Sequence, residues 1–110
     1  MIIDIKEGGE ISVALKDDGT VWTGGNGDRG QLGNRTWTIA QKTPVQVVGP
    51  GRLGFLDHIV SIASGGGGQH VLALKDDGTV WACGMNGNGQ LGNGKWGDNE
   101  RENAPIQVHG

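Results

Sequence analysis

The strongest constraint on the fold of this chain is an internal repeat. Residues 14–22 recur unchanged as residues 73–81, 59 positions later. The flanking segments match at offsets of 57 to 61 positions: 2–5 with 59–62, 30–34 with 89–93, and 44–47 with 105–108. A chain built from two copies of one unit is expected to form two similar structural units that stack on each other.

Each copy is predicted to contain four short strands that are rich in aliphatic and β-branched residues. Asp18-Gly19 and Asp77-Gly78 separate apolar segments and indicate hairpins, because such turns need backbone with positive φ. In residues 13–15 and 72–74 a small alanine replaces the polar residue of simple alternation, which suits strands buried on both faces. The predicted strands are 2–6, 12–16, 20–23 and 45–48 in the first copy, and 59–63, 71–75, 79–83 and 106–108 in the second.

Four strands repeated every 57–61 residues are typical of β-propeller blades. The sequence therefore predicts an all-β fold with two four-stranded antiparallel blades. Residues 1–49 form the first repeat, 50–57 a connector, and 58–110 the second repeat. Two insertions in the second copy mark loops, one at the glycines of 65–68 and one between Trp96 and Pro105.

The composition excludes several classes of protein. Glycine accounts for 23 of 110 residues, which opposes helix as the main element. The net charge of −3 disfavours nucleic acid as a partner. A single cysteine, Cys83, rules out an intramolecular disulfide framework. No apolar run is long enough to span a membrane, and the apolar stretch at the N-terminus is too short for a secretory signal. We therefore expect no membrane partner and, by default, a cytoplasmic protein.

Residues 65–92 carry Gly-x-x-x-x-His-Val-Leu-Ala-Leu-Lys-Asp-Asp-Gly-Thr-Val-Trp-x-x-Gly-x-Asn-x-x-Gly-Gln-Leu-Gly. This pattern resembles the repeat of the regulator of chromosome condensation family, in the phrasing of its bacterial branch. The resemblance implies a β-propeller, usually of seven four-stranded blades. It also implies a protein-binding platform, since family members include nucleotide exchangers for a small GTPase, ligase adaptors, a plant photoreceptor and β-lactamase inhibitors. No catalytic residue set is shared among them.

The resemblance assigns structural roles to the repeat residues. The first copy has Ile11 where the second has the family's usual histidine, and Gly24-Gly25 and Cys83-Gly84 stand where Trp-Gly is frequent. Nucleotide exchange is put in doubt by the small size of the chain and by the connector that occurs only once, and no residue here is identified as carrying that activity. The structural repeat residues are Gly19, Trp22, Gly30, Gln31, Gly33, His70, Gly78, Trp81, Gly89, Gln90 and Gly92.

Two blades alone leave open faces and unpaired sheet edges. Both copies are bounded at similar positions, and the connector occurs only between them. We therefore expect the chain to complete a closed propeller by head-to-tail homo-oligomerisation, as a trimer of six blades or a tetramer of eight. The alternative is a fragment of a longer propeller.

No cofactor, metal or catalytic set is predicted. Two Gly-x-G-x-x-Gly matches, in 25–30 and 87–92, are not followed by the helix that a dinucleotide site needs. The Asp17-Asp18 and Asp76-Asp77 pairs are explained as hairpin tips. No Ser/His/Asp or Cys/His spacing suggests a nucleophile, and Cys83 is expected to pack inside a blade.

The tryptophans divide into two groups. Trp22 and Trp81 end apolar strands and are expected in the core, whereas Trp37 and Trp96 lie in the polar loops 34–43 and 93–104. An aromatic residue in a polar loop is a candidate for binding. An equally good explanation is that each ring covers the edge of its own blade or the next blade. The candidate binding residues are Trp37 and Trp96 with the charged loop residues Arg35, Lys95, Asp98 and Arg101.

The sequence favours a non-catalytic scaffold that binds proteins through propeller faces. A glycan-binding propeller, with Trp37 and Trp96 as stacking platforms, is the second hypothesis. An enzyme is the third, because fold does not fix function.

Overall fold

The chain forms two four-stranded antiparallel sheets, each a meander in which neighbours in sequence are neighbours in space. The computed structural model describes residues 1–8, 11–27, 32–34, 37, 41–49, 54–64, 70–85 and 101–108. The first sheet contains β1 (Ile2–Gly8), β2 (Ile11–Lys16), β3 (Val21–Gly25) and β4 (Gln41–Gln46). The second contains β5 (Ile59–Ser64), β6 (His70–Lys75), β7 (Val80–Met85) and β8 (Arg101–Gln107). The predicted all-β fold of two four-stranded units is confirmed.

The fourth strand of each sheet differs from its predicted position. β4 begins at Gln41 and β8 at Arg101, several residues earlier than the predicted starts at 45 and 106. Among the described strands, each of the two pairs with only one neighbour. An edge strand needs neither apolar alternation nor every N–H, so polar residues and proline are tolerated there. Val48 lies beyond β4 and forms an isolated bridge with Phe55.

The two Asp-Gly hairpins form as predicted. Gly19 and Gly78 have φ values of 82° and 89°, a region that favours glycine over residues with a Cβ. In each hairpin the glycine N–H donates a hydrogen bond to the carbonyl of the lysine that ends the preceding strand. Gly19 donates to Lys16, and Gly78 donates to Lys75. These turns fix the register of β2 with β3 and of β6 with β7.

The hydrophobic core lies between the two sheets. Leu56, in the predicted connector, is only 1% exposed and belongs to this core. The connector therefore contributes to the core as well as linking the two repeats. Its buried members are Ile11, Val13, Leu15, Val21, Leu32 and Val47 from the first repeat, Leu56, and Ile59, Ile62, Val71, Ala73 and Cys83 from the second.

The two sheets bury opposite faces. We call the side that carries Trp22 or Trp81 the front face of its sheet, and the other side, which carries Leu15 or Leu74, the rear face. The rear face of the first sheet packs on the front face of the second. Among the described residues, each sheet is therefore covered by a neighbouring sheet on one face only, and not on both as the sequence predicts.

Candidate interaction surfaces

The front face of the first sheet is an open groove. It has a volume of about 680 Å³, and Ile5, Ala14, Trp22 and Pro44 are among its lining residues. Ile5 on β1 is 56% exposed. Apolar side chains gathered in an exposed concave surface are typical of an interaction site.

The corresponding groove of the second sheet is filled. Val21, Val47 and Leu56 approach its floor, which includes Ala73 and Trp81, and only about 10 Å³ remains open. Because Trp81 corresponds to Trp22 in the repeat, the second sheet shows how a groove of this shape is closed by a neighbouring blade.

The first strands of the two sheets show the same contrast. Ile59 and Ile62 on β5 are each 3% exposed, whereas the corresponding Ile2 and Ile5 on β1 are 53% and 56% exposed. Both pairs of residues have the same register against the second strand of their sheet, with Ile2 opposite Lys16 and Ile59 opposite Lys75. The exposed isoleucines of β1 therefore belong to a face that is buried in the second repeat.

The rear face of the second sheet is the other open surface. Leu74 is 37% exposed, whereas Leu15, its counterpart in an identical nine-residue segment, is 1% exposed. Leu72 and Val80 are half-buried, whereas their counterparts Val13 and Val21 are fully buried.

Two repeat glycines are required by close contact between the sheets. A Cβ on Gly33 would lie 2.9 Å from Val47 Cγ1 and 3.0 Å from Cys83 Sγ. A Cβ on Gly19 would lie 2.8 Å from the main-chain nitrogen of His58, at the start of the second repeat. The Gly19 carbonyl also accepts a hydrogen bond of 3.1 Å from the Ile59 N–H. These glycines therefore belong to the interface as well as to their turns.

Each Asp-Gly-Thr turn connects its aspartate to the strand tryptophan through the threonine hydroxyl. Thr79 Oγ1 donates to Asp77 Oδ1 at 2.6 Å and accepts from Trp81 Nε1 at 2.9 Å. Asp18, Thr20 and Trp22 repeat this arrangement at 2.5 and 3.2 Å. The threonine hydrogen bonds lower the pKa of Asp77 and of Asp18, since they favour the ionised carboxylate.

A lysine ammonium lies over each of these tryptophan rings. Lys16 Nζ is 5.3 Å from the centre of the Trp22 ring, and Lys75 Nζ is 5.6 Å from that of Trp81. Both distances are within the range of a cation–π interaction. The lysine, aspartate and threonine of the repeat therefore fix the tryptophan position on the front face.

Trp22 departs from its predicted place in the core. It is half-buried on the open front face, where no sheet within the described part of the chain covers it. Trp81 packs against the core. Cys83 is buried as expected, and burial raises the pKa of its thiol to about 12. His70 opens β6 half-buried, and loss of solvation lowers the pKa of its imidazole.

The predicted loop site is described only in part. Trp37 is 45% exposed, which fits a surface role. Arg101 lies in strand β8, not in the predicted loop. Four of the predicted binding residues, Arg35, Lys95, Asp98 and Trp96, lie outside the described residues, as do the repeat residues Gly30, Gln31, Gly89, Gln90 and Gly92.

Two kinds of feature are absent from the described ranges. Within these ranges no three His, Cys, Asp or Glu side chains are grouped so that they could hold a metal ion. The same part of the chain contains no helix with the length and apolar character needed to cross a membrane.

The sequence predicts that two blades leave open faces, but not which face of each sheet is open. The relevant signal is the alanine within residues 13–15 and 72–74, which marks both faces of each second strand as apolar. That pattern indicates that each blade needs a neighbour on both sides. It does not show which face this chain leaves open.

Family models and individual relatives match most of the chain. The model of the regulator of chromosome condensation (RCC1) repeat matches residues 18–74 and 77–110, and a second RCC1 repeat model matches 59–90. The protein RCC2 homolog of Danio rerio is 35% identical over 99 residues, which are 90% of this chain and 19% of that protein. Human E3 ubiquitin-protein ligase HERC2 is 38% identical over 93 residues, which are 84% of this chain and 2% of HERC2.

Solved structures show the same architecture. Human WBSCR16 superposes with a TM-score of 0.79 at 25% identity, over 99% of this chain and 25% of that one. Prp20p of Saccharomyces cerevisiae, described with its binding properties to Gsp1p and histones, superposes with a TM-score of 0.79 at 26% identity, over 98% of this chain and 24% of Prp20p. The chain thus spans about a quarter or less of the length of these four proteins. On the family match and the blade architecture together, the chain belongs to the regulator of chromosome condensation repeat family.

Proposed function

We propose that this chain is a non-catalytic β-propeller scaffold that binds proteins, and that its two-blade units self-assemble into a closed ring. One observation carries the proposal. The groove on the front face of the first sheet is open at about 680 Å³, while the corresponding groove of the second sheet is closed by a blade to about 10 Å³. The first sheet therefore presents a surface that is shaped to receive another blade.

The relatives support a role in protein binding. Prp20p has binding properties to Gsp1p and histones. HERC2 is a ligase by name, but this chain corresponds to only 2% of its length. Neither comparison assigns an activity to two blades alone, so the proposed role is that of a platform whose partner binds a propeller face.

The covering blade has two possible sources. In a ring it comes from other copies, three chains for six blades or four for eight, which lie within the range known for propellers. In a longer propeller it comes from neighbouring repeats of the same polypeptide. This chain covers only a small part of the length of each relative, which fits the second source. Each open face has a buried counterpart in the other repeat, which fits both sources.

Urea unfolding at several chain concentrations tests self-assembly. Association stabilises the folded chain by mass action, so the midpoint is expected to rise as the concentration increases over a hundredfold range. A midpoint that stays constant over that range would contradict self-assembly. The scaffold role would then belong to a longer propeller.

A glycan-binding propeller is a second candidate, favoured by the 45% exposure of the Trp37 side chain. A sugar that stacks on this ring should change the tryptophan fluorescence of the chain but not that of a Trp37→Ala variant. Unchanged fluorescence across a panel of sugars would argue against this candidate.

A further inference from the structure

The two open faces of the blade pair are built from one repeated sequence. Residues 14–22 and 73–81 are identical, yet the first segment buries its rear face and the second its front face. Each open face therefore has an identical or similar counterpart that is already packed in the interior of the same molecule.

The internal interface shows which side chains meet. Val21 and Val47 of the first repeat lie against the groove of the second sheet at Trp81. Leu15 is buried in the same core. The repeat counterparts of Leu15 and Val21 are Leu74 and Val80 on the open rear face, and that of Trp81 is Trp22 on the open front face.

We infer that the front groove of the first sheet is a docking site for a second copy of this chain, which inserts the rear face of its second sheet. The inference rests on the proposed propeller function and specifies the surfaces that would meet. Leu74 and Val80 of one copy pack against Ile5, Ala14 and Trp22 of the next. Such a contact uses different surfaces on the two partners, so it can be repeated around a ring.

A main-chain hydrogen bond sets the register of the docked copy. In the internal interface the Ile59 N–H donates to the Gly19 carbonyl, and the His58 nitrogen lies 2.8 Å from the Cβ position of Gly19. The counterparts of Gly19 and Ile59 are Gly78 and Ile2. Apart from Gly78 itself and its two neighbours in the chain, no atom of the described residues lies within 4 Å of the Cβ position of Gly78. This space receives the start of β1 from the next copy, with Ile2 donating to the Gly78 carbonyl.

The contact between copies is weaker than the internal one. The second repeat has Val71 and Cys83 in the internal interface, but the first repeat has Ser12 and Gly24 at the corresponding positions. These smaller or more polar residues bury less apolar surface. Association between copies is therefore expected to depend on concentration, while the two sheets within one chain stay together.

Two variants that each block one face test the inference by light scattering. Ile5→Asp places a charge in the front groove, and Leu74→Asp places one on the rear face, where burial of an unpaired charge is strongly unfavourable. Both positions are exposed in the single chain, so neither change should unfold it. Phe55→Asp is the matched control, because Phe55 is 57% exposed in the connector and not on either sheet.

The inference predicts that each variant alone has the mass of one chain, 11.4 kDa, with association weakened at least tenfold. An equimolar mixture should give a species of twice that mass, since each variant retains the face that the other lacks. The Phe55→Asp control should associate like the unchanged chain. Association of either single variant at the unchanged level, or a mixture that stays monomeric, would overturn the assignment of these faces.

The unchanged chain separates this inference from the proposed function. If it associates and the mixture does not, self-assembly survives and the docking faces are wrong. If it stays monomeric throughout, both are overturned. Protection of Cys83 from a thiol reagent shows that each variant keeps its internal interface, because this thiol is buried there. If an aspartate variant exposes Cys83, Ile5→Thr and Leu74→Thr replace it, since threonine is favoured in strands.

Discussion

The threonine of each Asp-Gly-Thr turn connects the hairpin to the front face. Thr79 Oγ1 donates to Asp77 and accepts from the Trp81 indole, so one hydroxyl holds both the turn and the ring. The sequence predicts the turn from Asp-Gly but not this connection, because a hydroxyl two residues from an indole has many orientations until the strand is formed.

Thr79→Val should release the indole and raise the pKa of Asp77 towards its ordinary value. The lost bond to Trp81 should cost about 1 kcal/mol of stability. Because the pKa of Asp77 is lowered in the folded state, its stabilising effect is present above the unfolded pKa and is lost as the pH falls through the folded pKa. The variant should therefore lose less stability on acidification, as measured by urea unfolding and carboxyl NMR titration.

Thr79→Ser keeps the hydroxyl and should behave like the unchanged chain. An unchanged Asp77 pKa in Thr79→Val would contradict this account.

Cys83 should be inert while the two sheets are packed together. Its side chain is 2% exposed and its pKa is raised to about 12, so the reactive thiolate is scarce at neutral pH. A disulfide reagent is expected to label the folded chain at least a hundredfold more slowly than the urea-unfolded chain. Equal rates would mean that the sheets separate readily.

Strand elements show what the sequence can predict and what it cannot. β2 and β6 are predicted nearly to the residue because their apolar residues recur at strand spacing. β4 is predicted too late because its first residues, Gln41, Lys42 and Thr43, are polar and lie on an edge strand. The burial of a side chain cannot be predicted from its local sequence. Leu15 and Leu74 occupy identical segments, but Leu15 is 1% exposed and Leu74 is 37% exposed. The cause is the neighbouring sheet, which lies outside either segment.

Leucine truncation at these two equivalent positions should have unequal effects. Leu15→Ala removes a fully buried side chain from the core between the sheets and should cost about 2–5 kcal/mol of unfolding free energy. Leu74→Ala, measured at a concentration where the chain is monomeric, should cost less than half as much. Urea unfolding of the two variants measures the difference. Equal losses would mean that the two leucines have the same environment, against the structure.

For the molecule as a whole, the proposed docking predicts that departures from repeat symmetry limit how strongly copies associate. Changing Ser12→Val and Gly24→Ala makes the front face of the first sheet more like that of the second. Gly24 accepts a Cβ, since the nearest atom, the Gln41 carbonyl oxygen, would be 3.6 Å away. The added apolar surface should tighten association about tenfold, measured as a shift in the concentration dependence of mass. The same pair of changes combined with Leu74→Asp should have no such effect. If the concentration dependence of mass is the same for the Ser12→Val, Gly24→Ala double variant as for the unchanged chain, the docking site is contradicted.

The central claim is that the open front groove is a blade-docking surface, and the mass of the unchanged chain in solution tests it most directly. Size exclusion with light scattering over a wide concentration range is predicted to show mass rising to a plateau at three or four times 11.4 kDa, as for a closed ring of six or eight blades. A mass of one chain at every concentration, or a mass that grows without a plateau, would contradict the closed assembly.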